Sequence, residues 1–495
     1  MRKTLSNTET MGDAAHDEVK HSSGGSDVEA TGTGVEHNGD HADGGVNMRK
    51  LVRKADLRIV PLLSAVYLLN YLDRGNVGNA KVLNQETNDD LLSQTGMTST
   101  GYAISLTLFS VAYAVFEVPS NWILKRYVRP SLWLGFLLFA WGATTIGFAA
   151  VYTYPVVVVL RLLIGIFEAG FFPGIVYYTT FWYRIEERGL RIAFVAAHAN
   201  LAGAFGGVIA YGVGHLNGRS GLQGFRWLFI IEGIITVIMA FILAYSLPDY
   251  PSRTKWLSQI EKTAWEARLR EQGAGYSRDH ATRKEVLDAC FSPRMLLHYF
   301  IYLINTIPLA SFTFYTATIV TGLGYESLHA QLLTIPPWVV GYTFALIYSF
   351  SADRFNARGY HIMFGSILGG IGWLTSACLP SDAYTAKYGC LVLASAGAFP
   401  CVAPLSAWVS GNSPSITTIA ITTALNNSGA GIGQIIAQWI WIAGEKDKGY
   451  PTGNFTCAAC SFVVAILSVV LRWWYGRMNK NKTPDTSGTS KVWAY

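Results

Sequence analysis

The chain has 495 residues, with 38 Lys+Arg against 32 Asp+Glu and a net charge of +6 when His is neutral. Only 14% of it is charged while 51% is apolar, and an ordinary soluble domain carries about 25% charge. That balance excludes a secreted disulfide scaffold, a nucleic-acid binder and a mainly soluble enzyme, and it points to a polytopic membrane protein in a lipid bilayer.

Forty of the 70 charged side chains fall in residues 1–58, 248–294 and 472–495. Residues 1–48 are rich in Gly, Ser, Thr, Asp and His, lack an apolar block, and are expected to form a disordered cytoplasmic tail. With no signal-peptide apolar region there, the first membrane helix must do the targeting. Apolar runs long enough to span a bilayer follow near 59–80, 99–123, 131–152, 155–181, 192–215 and 226–247. A polar stretch, 248–294, separates them from six more near 295–321, 329–351, 360–380, 386–409, 414–442 and 455–475. The expected fold is therefore an all-α membrane protein of twelve transmembrane helices in two six-helix bundles, 49–247 and 295–478. A cytoplasmic linker, 248–294, joins them, and a cytoplasmic tail, 479–495, closes the chain. Within the linker, Lys255 to Trp265 reads as a short amphipathic helix.

Lys and Arg gather on one side of this array. Arg49, Lys50, Arg53, Lys54 and Arg58 precede run 1, Lys125, Arg126 and Arg129 follow run 2, Arg184, Arg188 and Arg191 follow run 4, and Arg477, Lys480 and Lys482 follow run 12. The loop 82–98 has no Lys or Arg and carries Glu86, Asp89 and Asp90. Both termini are expected to be cytoplasmic. Asn454-Phe-Thr456 is a glycosylation sequon on the outer side, with an unused sequon as the alternative. The six cysteines are scattered, and Cys457-x-x-Cys460 lies inside an apolar run, as small membrane-helix residues do. No phosphate-cradling G-x-x-x-x-G-K-[ST] and no zinc or nucleophile-elbow motif occurs, so no cofactor, metal or catalytic residue is implied and the chain is not expected to be an enzyme.

Ionisable groups at bilayer depth line a cavity or pair with one another. Here they are Asp73, Arg74, Glu117, Arg161, Glu168 and Glu232, all in the first half. The second half offers amides and hydroxyls, among them Asn305, Asn426, Asn427 and Gln434. Charge and proton handling are thus expected in the first half and substrate shaping in the second. Arg161 and Glu168 are seven apart and share a helix face about 10 Å apart along the axis. That is too far for a direct bond and suits flanking a small ligand or meeting another helix. Asp73–Arg161 and Arg74–Glu168 are also possible structural pairs. Glu232 is expected to be structural, near Arg226 at the outer end of run 6. Either Asn426 or Asn427, beside the glycines of run 11, is expected to touch substrate. Gly203, Gly206 and Gly207 in run 5 are expected to allow close packing.

Asp353-Arg354…Arg358, after run 8, resembles the loop signature of the major facilitator superfamily, with a degenerate copy at Leu124/Lys125-Arg126…Arg129 after run 2. Asn70-Tyr-Leu-Asp-Arg-Gly-Asn-Val-Gly-Asn-Ala-Lys81 resembles the fungal allantoate-permease-like branch of its anion:cation symporters. Arg161-Leu-Leu-Ile-Gly-Ile-Phe-Glu168, Trp182 to Arg191, Arg226 to Gly233 and Leu247-Pro-Asp-Tyr-Pro251 agree with it. The resemblance covers about 50 to 478. It implies a secondary active transporter, a proton-coupled importer of a small organic anion (vitamin, ureide or carboxylate) that works by alternating access as a plasma-membrane monomer. By the same resemblance Asp73 and Glu168 couple protons, Arg74 and Arg161 bind the anion, and Tyr71 lies near it. Asp353, Arg354 and Arg358 would form a conformational latch. A proton-driven exporter is the first rival, disfavoured because run 5 lacks the Gly-Pro pair usual in drug antiporters; a transport-dead nutrient sensor is the second.

Overall fold

A computed structural model describes residues 41–42, 46–274, 283–355, 357–413 and 418–480. The tails 1–40 and 481–495 lie outside the described residues. Apart from a two-residue antiparallel pairing of His41–Ala42 with Val46–Asn47, the described chain is helix and turn. The first half contains α1 (Met48–Val82), α2 (Ser99–Arg126), α3 (Pro130–Gly147), α4 (Tyr154–Glu168 continuing as Phe171–Thr179), α5 (Ile185–Gly214) and α6 (Gly224–Ser246). The second contains α7 (Pro293–Gly322), α8 (Ile335–Arg354), α9 (Arg358–Cys378), α10 (Tyr384–Ala398 continuing as Val402–Gly411), α11 (Ile419–Trp439) and α12 (Pro451–Lys480).

Eleven of these are long and apolar enough to cross a membrane. The remaining one, α11, is a 21-residue helix in the expected place. Its interruption by Asn426, Asn427, Gln434 and Gln438 dilutes its apolarity. The twelve-helix, two-bundle expectation is thus met.

Local chemistry sets the helix ends. Asn47 caps α1, its side chain accepting the Lys50 N–H at 3.0 Å, so the basic stretch before run 1 is the first turns of the helix itself. Pro130 and Pro293 stand in the first turns of α3 and α7, where a missing N–H costs nothing.

Successive helices alternate in direction, so the molecule has two ends. One holds the α2–α3, α4–α5, α6–α7 and α8–α9 turns and the linker; the other is the far end. At the linker end the linker binds the first half. Its helix spans Gln259–Ala274 and begins later than Lys255. Trp256 stacks on Trp182 at 5.7 Å, Arg58 lies 4.5 Å from the Trp256 ring, and Lys54 meets Glu261 at 3.4 Å. The second linker helix, Arg283–Phe291, meets α7, where the Tyr299 hydroxyl donates to the Ala289 carbonyl at 2.7 Å.

The bonds that join the halves cluster at the far end. Tyr102 of α2 donates to the Phe314 carbonyl of α7 at 3.2 Å, and Gln438 of α11 donates to Ser110 of α2 at 3.0 Å. Gln331, just before α8, donates to the Asn79 carbonyl of α1 at 3.4 Å. Glycines let the backbones approach: a Cβ on Gly78 would lie 2.8 Å from the Phe314 carbonyl oxygen, and one on Gly203 would overlap the Trp338 ring. One apolar cluster spans both halves there, whereas at the linker end Trp182, Trp265 and Ile59 belong to a first-half cluster and Trp408, Leu471 and Tyr475 to a second-half one.

Candidate functional site

Six acidic or basic side chains are buried within the described first-half helices: Asp73, Arg74, Arg161, Glu168, Glu232 and, at the start of α6, Arg226. Exposure is 5% for Asp73, 9% for Arg74 and 1% each for Arg161, Glu168 and Glu232. Asp73 and Arg74 are neighbours in sequence, so a helix points them in different directions. Arg74 turns to α4 and its Nε binds Glu168 Oε1. Its guanidinium is bracketed by aromatic rings, 4.8 Å from Tyr113, 5.0 Å from Tyr71 and 5.6 Å from Phe109. Such stacking holds a planar cation while leaving its edge for a carboxylate.

Asp73 turns instead into the bundle. Its Oδ2 accepts from Trp141 Nε1 of α3 at 2.8 Å and from Thr236 Oγ1 of α6 at 3.2 Å, and its Oδ1 has no partner. Of the two candidate pairs, Arg74–Glu168 forms as a direct bond. Asp73 finds neutral donors instead of Arg161. Arg161 lies over the Phe148 ring at 5.3 Å, with Nε and Nη2 unpartnered. Glu232 is not placed against Arg226. It takes a hydrogen bond from Asn76 Nδ2 of α1, while Arg226 binds Gln223 and the Ala149 carbonyl. Six residues separate Arg226 from Glu232, which puts them on different faces of α6.

Between the halves a cavity is lined by Tyr71 and Gly75 of α1, Gly203 of α5, Phe312 of α7, and Thr334 and Trp338 at the α8 side. Tyr71 thus stands on the cavity wall, with Arg74 behind its ring. Asp73, Arg161 and Glu168 sit deeper in the bundle. Asn426 is buried with Oδ1 unpartnered, and Asn427 is exposed. Neither lines this cavity. Packing of Gly429 and Gly433 against α7 turns the Asn426 side of α11 toward that helix.

At the α8–α9 turn, Arg358 Nη1 donates to the Ala407 carbonyl of α10 at 3.4 Å, a bond within one half, and Arg354 is exposed. The Asp353 side chain lies outside the described set. Asn454 is 2% exposed, and its Nδ2 donates to the Gly449 and Tyr450 carbonyls at 2.9 and 3.0 Å, a geometry that favours the unused sequon. The cysteines are free, and Cys457 packs beside Ser311. The second half is not wholly bare of ionisable groups in its core. His298 of α7 is fully buried with Nε2 3.0 Å from the Tyr475 hydroxyl, and Lys387 of α10 is 2% exposed.

Sequence reasoning missed Asn76 and Trp141 as partners of the acids. The available signal was Asn76 three residues after Asp73, on the same helix face.

Twelve helices in two bundles around a seam define a class of membrane transporter, and the comparisons agree. The family model described as the Major Facilitator Superfamily matches residues 63–438. The chain is 46% identical over 445 residues, 90% of each chain, to the MFS transporter prlL of a fungal species (strain NRRL 50135). It is similar in fold, at 15% identity and a TM-score of 0.62, to a D-xylose-proton symporter over 82% of this chain and 96% of that one. A bacterial homologue of the human lysosomal transporter Spinster, in an inward-facing and unoccupied conformation, gives 15% identity and a TM-score of 0.62 over 89% and 100%. The chain belongs to the major facilitator superfamily and is a multi-pass membrane transporter.

Proposed function

We propose that the protein is a proton-coupled importer of a small organic anion, of the anion:cation symporter kind. The observation that carries this reading is the buried Arg74–Glu168 pair beside the Tyr71 cavity wall. A substrate carboxylate and the Glu168 carboxylate compete for one guanidinium. Protonation of Glu168 frees Arg74 to hold the anion, so proton and anion load together. Arg161 brings two unspent donors to the same bundle and is the second anion group. Asp73 is the second proton group of this scheme. Asn426 and Asn427 remain candidates for substrate contact from α11. The seam at the far end then closes one side of the site, and the two bundles rock to expose each side in turn. With the basic turns facing the cytosol, the seam closes the outer side. The membrane of this scheme is a fungal-type plasma membrane, and Asp353, Arg354 and Arg358 serve as a latch during the rocking.

The test is uptake by full-length protein in liposomes with an inward proton gradient. Nicotinate, allantoate, pantothenate, biotin, a sugar acid and a small aromatic acid are offered in turn. One anion should accumulate, and collapse of the gradient should stop it. Glu168→Gln should lose accumulation while keeping exchange, and Arg161→Ala should lose binding. If no anion accumulates but protons enter as a preloaded compound leaves, the protein is an exporter and this reading fails.

A further inference from the structure

Glu232 is the third acid of the first-half core, and it differs from the other two in having no cation or ring donor beside it. Its bond is to an amide: Asn76 Nδ2 donates to Glu232 Oε2. The other oxygens of the two groups, Glu232 Oε1 and Asn76 Oδ1, are both buried and both lack a donor. Two acceptors left without a donor in a dry interior are costly. A single hydrogen on Oε1 removes both deficits, because Oε1–H then donates to Oδ1 while Nδ2–H donates to Oε2. A carboxylic acid and a primary amide close into such a two-bond ring; a carboxylate and an amide make only half of it.

The charges around the pair lead to the same place. Thr236, one turn from Glu232 on α6, binds Asp73, one turn from Asn76 on α1, so the two acids lie about one turn apart along the α1–α6 seam. Asp73 faces Trp141 from α3, a helix with no titratable residue over Pro130–Gly147, while α4 contributes Arg161 and Glu168. α5 has none between His198 and Tyr211, and Arg226 is engaged by Gln223 and the Ala149 carbonyl. Arg226, also fully buried, lies on another face of α6 with neutral partners, so the charged group next to Glu232 along the α1–α6 seam is the Asp73 carboxylate. A proton on one of these two neighbouring acids relieves their mutual repulsion.

We propose that this proton resides on Glu232, held by Asn76 in a two-bond acid–amide pair, and that Glu232 is a third proton site of the transporter, electrostatically linked to Asp73. A proton arriving on Asp73 lowers the cost of releasing the one on Glu232, and the reverse holds equally. The role in transport rests on the proton-coupled reading above; the site itself does not.

The experiment reads the proton directly and needs no substrate. Infrared spectra of purified full-length protein in H2O and D2O at neutral pH should show a protonated-carboxyl C=O stretch with the isotope shift of an exchangeable hydrogen. Glu232→Gln should lose that band; Asp73→Asn and Glu168→Gln should keep it. Gln is a near-isostere of the protonated acid and can retain both bonds to Asn76, so Glu232→Gln should melt with the wild type. Absence of the band in wild type, its survival in Glu232→Gln, its loss in Asp73→Asn instead, or a Glu232→Gln chain that melts well below wild type would each overturn the proposal. A chain that transports no anion leaves these spectra unchanged, so the two readings fail separately.

Discussion

The two halves have the same six-helix plan and opposite interiors. In the first, α1, α4 and α6 are tied through buried charge and amide: Arg74–Glu168, Asp73–Thr236 and Asn76–Glu232. In the second, α9 and α10 are tied through missing side chains. A Cβ on Gly372 would lie 2.7 Å from the Cys390 carbonyl oxygen, and one on Gly369 would lie 3.4 Å from the Ala394 carbonyl oxygen. Buried ion pairs contribute little net stability but change with protonation and ligand. Close backbone packing contributes dispersion and does not respond to either. Glycine packing is common to both halves; the buried bonds between acids and their partners that can respond to protonation gather in the first.

Three substitutions sharpen or break this contrast. The largest effect is expected from Arg74→Ala, which strands Glu168 in the core; breaking a buried pair costs about 3–5 kcal/mol. Thermal unfolding in detergent should show a lower midpoint, partly restored by adding Glu168→Gln. An unchanged midpoint would mean the pair does not organise this half. Next is Gly372→Ala, which forces α9 off α10 at a cost of about 1–3 kcal/mol, as overpacking does. Its midpoint should fall equally at every pH, whereas a pH-dependent fall would make the second half as titratable as the first. The smallest is Glu261→Gln on the linker. The Ser258 backbone N–H, then Lys54, hold the Glu261 carboxyl below its ordinary range. A depressed acid stabilises the docked linker above its unfolded value, and that gain fades as pH falls through the lower folded value. Because the pair is half-exposed and screened by solvent, the change should stay within about 1 kcal/mol. A protease-protection assay on the linker, run from neutral to acid pH, would detect it; protection that rises on acidification would contradict the sign.

Much of the architecture was legible in the sequence because bilayer thickness imposes a run length that composition shows directly. The cargo of charge in the first half was legible too, because ionisable side chains are rare at that depth. Which groups meet was less so. Arg74–Glu168 appeared among two possible pairs, and spacing alone could not choose between it and Asp73–Arg161. The placement of Glu232 near Arg226 failed because closeness in sequence outweighed helix phase; the true partner, Asn76, is 156 positions away. Asn427 and Asn426 illustrate the same limit. Their composition marks α11 as unusual, but the direction each side chain takes follows from the packing of Gly429 and Gly433 on α7. Nor does any local pattern reveal that, among the described residues, the bonds between the halves cluster at one end, since that depends on the angle between two bundles.

The seam itself is close-packed. At Gly78 the α1 backbone rests against the Phe314 carbonyl, and at Gly203 the α5 backbone rests against the flat face of Trp338. Opening the seam releases hydrogen bonds such as Tyr102 to Phe314 and Gln438 to Ser110 and also uncovers the apolar cluster that spans both halves there.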